Sequence, residues 1–95
     1  MTARFRITPR ARQDLIDIGR YTAERRDSRQ RDDYLRELDR RFSWLGRHRP
    51  DVRTGYFSFR QGSHVIFYLI RDGCIDIIGI PHQRMDVVDY FAAPE

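Results

Sequence analysis

His82, Arg84 and Asp86 bring an imidazole, a guanidinium and a carboxylate into one short stretch near the end of the chain. They follow directly on an apolar run, Cys74 to Ile80, which Pro81 closes because proline has no N–H to give to a strand ladder. Arg60, on a neighbouring strand, is a fourth member of the set. Such groups can grip a macromolecular partner, or act as proton donor and phosphate clamp in RNA cleavage. They can equally be a surface histidine beside an Arg84–Asp86 ion pair that trims the strand end. The chemistry alone leaves these readings open.

Other chemistries are narrowed by what the chain lacks. All 18 basic residues are arginine, so no lysine is available as base, acid or Schiff-base nucleophile. His48, His64 and His82 are scattered, none pairs with a second ligand at helical spacing, and neither a metal nor another cofactor is expected. There is no glycine-rich phosphate loop. The one cysteine, Cys74, permits no internal disulfide and reads as a small buried strand residue, in keeping with a reducing, cytoplasmic setting. The net charge of +4, with 14 acids interspersed, suits carboxylate or phosphate partners but does not point to sequence-specific nucleic-acid binding. No run of ~18 apolar residues offers a membrane span, and the first residues lack the apolar core of a secretion signal.

The elements that must position these groups can be read from spacing. Arg4–Ile7 alternates polar and apolar, as a short strand does. Thr8 and Pro9 suit the cap and first position of a helix running to about Arg25, with Ala11, Leu15, Ile18 and Thr22 as its inner stripe and Asp14 and Asp17 on the flanks. Asp27-Ser28 caps a second helix, Arg29 to about Leu45, whose stripe is Tyr34, Leu35, Leu38, Phe42 and Leu45. Arg29–Asp33, Asp32–Arg36 and Glu37–Arg41 are spaced for i, i+4 pairs on its outer face, and Gly46 is placed to end it. Tyr56–Arg60, Val65–Ile70 and Cys74–Ile80 read as strands, the last two joined by Asp72-Gly73, a dipeptide suited to a tight hairpin. The expected fold is α+β, in the order β-α-α-β-β-β: an antiparallel sheet with a helical hairpin packed on one face. Its 95 residues make one domain, spanning 3–88, followed by a tail at 89–95.

Ile16 and Trp44 fall off the inner stripes of their helices. Exposed, they form a docking surface for a partner helix; alternatively Trp44 folds over the edge of the hairpin.

The chain resembles the ParE branch of the RelE/ParE toxins of bacterial toxin–antitoxin modules. The resemblance is carried by Ile7-Thr8-Pro9-Arg10-Ala11 with Asp14, Leu15 and Ile18, by Tyr21-Thr22-Ala23, by Tyr34 and Leu38, and by His64-Val65-Ile66-Phe67-Tyr68. It continues in Ile75–Ile80 and His82-Gln83-Arg84-Met85-Asp86. It implies a sheet with a helical hairpin and a toxin neutralised by a ParD-like antitoxin, with which it forms a hetero-oligomer through Ile16, Tyr21, Tyr34 and Trp44. It further implies inhibition of DNA gyrase without enzymatic chemistry, through a face made of Arg60, His82, Arg84 and Asp86. The family's RelE-like members cut messenger RNA on the ribosome, and under that alternative Arg60, His82, Arg84 and Tyr90 would be catalytic. A third reading is an inactive binding module on the toxin fold. Pro81 departs from the ParE pattern and bears on how His82 is oriented.

Overall fold

The computed structural model describes residues 5–50, 52 and 54–92; the expected start of the first strand at Arg4, the domain start at residue 3, the loop positions Asp51 and Arg53, and the last three tail residues lie outside the described residues. The elements are β1 (Phe5–Ile7), α1 (Pro9–Arg25), α2 (Ser28–Arg47), β2 (Thr54–Gln61), β3 (His64–Arg71), β4 (Cys74–Gly79) and α3 (Val87–Ala92).

Thr8 joins the first two elements. Its N–H and hydroxyl both donate to the Ile77 carbonyl, at 3.1 and 2.9 Å, which continues the β1 ladder by one residue. The same hydroxyl accepts from the Ala11 N–H, so α1 starts at a fixed point on the sheet. Asp27 caps α2 by accepting from the Gln30 N–H at 2.7 Å. Gly46 does not end that helix: it lies buried within it, and the helix runs on to Arg47 with His48 as its cap.

The sheet order is β1-β4-β3-β2. β2, β3 and β4 form the expected antiparallel meander. β1 differs, lying parallel to β4 with Phe5, Arg6 and Ile7 opposite Ile75, Asp76 and Ile77, so the sheet is mixed. The physical reason is connectivity: parallel neighbours need a long crossover, and the two helices provide it. Asp72 and Gly73 both adopt positive φ, at 48° and 83°, which is the geometry of a hairpin turn matched to strand twist.

Both helices cover one face of the sheet. Ala11, Ile18, Leu38, Phe42 and Leu45 meet Ile66, Tyr68, Ile70, Ile75, Ile77 and Ile80, all buried, with Leu15, Tyr34 and Leu35 packed around them. Each fully enclosed aliphatic or aromatic side chain contributes about 1.5–3 kcal/mol. Among the described residues the pairs on α2 are Arg31–Asp32 and Asp33–Arg36, at 3.0 and 3.8 Å, in place of the expected i, i+4 ones. Arg41 instead donates to the Gln61 side chain at 2.8 Å, tying α2 to β2. On the opposite face of the sheet, Arg6 and Arg71 hold the Asp76 carboxylate, which is only 6% exposed, at 3.0 and 2.9 Å.

Candidate functional site

Pro81 interrupts the β4 ladder without ending its pairing. The Val65 N–H donates to the Pro81 carbonyl at 3.0 Å, and the Gln83 N–H donates to the Ser63 carbonyl at 2.8 Å. Between them His82 forms an isolated antiparallel bridge with His64. The chain therefore leaves β4 alongside the start of β3, and this fixes His82 despite the proline.

The two imidazoles meet edge to face, with centroids 5.3 Å apart. His64 Nδ1 shares a hydrogen bond with the Tyr34 hydroxyl at 2.6 Å. Burial, reinforced by the neighbouring His82, pushes the His64 pKa down to about 4, so the ring is neutral at neutral pH. The His82 Nδ1 accepts from the Arg84 N–H at 3.2 Å, which leaves Nε2 to carry the proton of the neutral ring.

Arg60 and Arg84 stand at this same corner and both are exposed. Arg60 reaches it through the Gln83 side chain, to which its guanidinium donates. Asp86 has a structural duty that spacing does not show: its carboxylate accepts from the Val88 and Asp89 N–H groups at 2.9 and 3.2 Å, capping the start of α3. Among the described residues no ion pair joins it to Arg84. The corner therefore presents two guanidiniums and an imidazole; among the described residues neither Arg60 nor Arg84 is in an ion pair, while the Asp14 and Asp17 carboxylates line the cleft beside His82.

Tyr90 lines the same cleft as His64 and His82. Its hydroxyl donates to Asp14 and its ring lies beneath the Arg10 guanidinium, 4.7 Å from centroid to Cζ. Burial first, and the Asp14 carboxylate second, raise its pKa above the ordinary tyrosine value. The hydroxyl is a poor proton donor there, because losing its proton would leave an anion against a carboxylate. Gly79 makes room for the ring: a Cβ at that position would stand 2.9 Å from Tyr90 Cε2.

The surface residues do not gather into one patch. On α1, Ile16 and Tyr21 are exposed, with the Arg25 guanidinium over the Tyr21 ring. Tyr21 also lines a cleft of about 430 Å³ with Ile18, Pro81, His82 and Met85. Trp44 lies elsewhere, in a hollow with Arg40, Arg41 and Arg47. It folds over the hairpin's edge, stacked on His48 at 4.5 Å and tilted against Phe59, while remaining 36% exposed. Tyr34 turns inward, where its hydroxyl accepts from the Ser63 N–H at 3.2 Å and lies 3.3 Å from the Gln61 carbonyl, so it secures the β2–β3 turn. Its pKa is raised, chiefly by burial.

His64, Gln83 and Asp14 belong to the architecture of the site and escape a reading of spacing. His64 was visible only as part of a motif, and Asp14 only as a flank of the helical stripe. Among the described residues no group of His, Cys, Asp and Glu side chains is arranged to hold a metal ion, and no helix is long and apolar enough to cross a membrane.

Comparison with known proteins adds a second line of observation. The family model described as the ParE toxin of the type II toxin-antitoxin system, parDE, matches residues 5–87. Toxin ParE1 of Mycobacterium tuberculosis is 35% identical, over 92% of this chain and 96% of its own length. Toxin ParE1 of Caulobacter vibrioides is 36% identical, over 86% and 91%. A solved chain from the chromosomal ParDE toxin–antitoxin system of P. aeruginosa superposes with a TM-score of 0.68 at 11% identity, covering 85% of this chain and 96% of that one, a likeness of fold.

Proposed function

The chain belongs to the ParE toxin family and is the toxin component of a type II toxin–antitoxin system, with an antitoxin as its partner; from that premise we propose that it inhibits DNA gyrase by binding, using the corner that carries Arg60, His82 and Arg84. The observation that carries this reading is the pair of exposed guanidiniums, Arg60 and Arg84, at the exit of β4, neither held in an ion pair among the described residues. Arg84 lies beyond the apolar core, is exposed, and among the described residues engages its neighbours through its backbone N–H. A guanidinium so placed is suited to a carboxylate or phosphate on a large partner.

The ribonuclease alternative draws less support. It asks Tyr90 to exchange a proton with substrate, whereas the Tyr90 hydroxyl is bound to Asp14 and has a raised pKa. Asp86 caps α3 through one carboxylate oxygen and is exposed, so it both supports the working face and stands on it.

The antitoxin is proposed to be ParD-like and to cover the exposed sides of the hairpin, with Ile16 and Tyr21 on α1 and Trp44 on α2 as anchors. Tyr34 contributes by holding the β2–β3 turn.

The test uses purified toxin in two assays. Gyrase inhibition appears as a block of supercoiling or accumulation of cleaved plasmid. A ribonuclease instead cuts messenger RNA in a ribosome-containing extract. Loss of supercoiling with intact message is the expected result, and cut message with normal supercoiling overturns the proposal.

A further inference from the structure

The segment from Ile80 to Tyr90 begins and ends on the same carboxylate. Asp14 Oδ2 accepts from the Ile80 N–H at 2.8 Å and from the Tyr90 hydroxyl. One turn earlier on α1, Arg10 Nη1 donates to the Tyr90 carbonyl at 2.8 Å and covers its ring. α1 therefore holds both ends of a closed loop, and His82 and Arg84 lie on that loop. The fit is specific, because Gly79 leaves the space that the Tyr90 ring occupies. Beyond Asp86 the chain is otherwise weakly anchored: Val87, Val88 and Phe91 are all exposed, although Phe91 still meets Phe67 edge to face at 5.2 Å.

We infer that Asp14 is a positioning residue of the working corner: by pinning Ile80 and Tyr90 together it closes the loop and sets the direction in which Arg84 faces the target, beyond the point where pairing with β3 holds His82. A loop already held in its binding geometry loses less conformational entropy on association than a free one. Asp14 does this without touching the target. The inference rests on the gyrase-binding reading above and adds to it a control point on α1, remote in sequence from the residues it governs.

The experiment compares Asp14→Ala, Asp14→Asn, Tyr90→Phe and Arg84→Ala in the full-length toxin. Two readouts are taken: amide exchange along the chain, and the concentration that half-inhibits gyrase supercoiling. Asp14→Ala is expected to speed exchange across residues 87–92 while β3 stays protected, and to weaken inhibition by about tenfold, the equivalent of one lost hydrogen bond of pre-organisation. Asparagine keeps an acceptor and should restore most of the potency, which a general loss of stability would not explain. If Asp14→Ala does not fold, Tyr90→Phe, which keeps the ring and removes only the hydroxyl bond, decides in its place. Full potency in the Asp14 and Tyr90 variants beside an impaired Arg84→Ala overturns this inference alone. Full potency in Arg84→Ala overturns the assignment of the working face and, with it, the role given to Asp14.

Discussion

From Phe5 to Ile80 the chain is held by enclosed apolar side chains, whereas from Pro81 to Ala92 it is held by hydrogen bonds at a few points while most of its side chains meet solvent. In the first region Leu38, Phe42, Ile66, Ile70, Ile75 and Ile77 are almost wholly removed from water. In the second, Arg84 is exposed, Val88 is 76% exposed, and the anchors are Pro81, Gln83, Asp86 and Tyr90. Apolar burial is strong and non-directional; a few polar bonds are weaker but fix direction. The two regions can therefore be altered separately, because they rest on different residues and different forces.

The largest effect that would sharpen this contrast is in the core. Leu38→Ala should cost about 2–5 kcal/mol in urea unfolding, from lost transfer energy and the cavity left behind. A cost under 1 kcal/mol would mean that the hairpin is not the roof of the sheet. Next comes the proposed antitoxin surface, where Trp44→Ala should weaken the toxin–antitoxin complex by about 2 kcal/mol in a calorimetric titration. An unchanged affinity returns Trp44 to a purely structural role over Phe59.

A third prediction concerns the seam between the two regions. His64 titrates near 4 in the folded chain and near 6.5 when unfolded. Between those values the unfolded chain binds more protons, so stability should fall as pH drops from about 6.5 to about 4, and level off below. After discount for the part of the ring that water screens, the loss is about 1–2 kcal/mol. His64→Gln should flatten this part of the stability–pH curve; an identical slope in both proteins would break the assignment. The smallest effect on stability is expected at the corner itself, where Arg84→Ala should shift unfolding by no more than about 0.5 kcal/mol, as for a solvent-facing side chain.

The body was far more legible in the sequence than the corner. Thr8-Pro9 and Asp27 mark the helix starts because caps are local chemistry, and Asp72-Gly73 marks its turn because both positions need positive φ. The helical stripes name most of the core, since burial on one side repeats at 3.6 residues. The parallel placement of β1 was not legible: three residues carry no pattern that identifies a partner 70 residues away. Gly46 looked like a helix end because glycine favours one, yet close packing uses it within the last turn. For the site, Arg60, His82 and Arg84 could be picked out by type and position. The capping role of Asp86, the bond of Tyr34 to His64, and the reach of Asp14 to Ile80 and Tyr90 depend on contacts that only the folded chain creates. The first α3 residues, Val87 and Val88, gave no helical period because the helix is too short to show one.

The division between scaffold and working corner is tested most directly by titrating purified Arg84→Ala toxin into a gyrase supercoiling reaction beside the parent protein, with both shown to unfold at the same urea concentration. Inhibition by Arg84→Ala is expected to be at least about tenfold weaker while the fold is untouched. Equal inhibition by the two proteins would contradict that division.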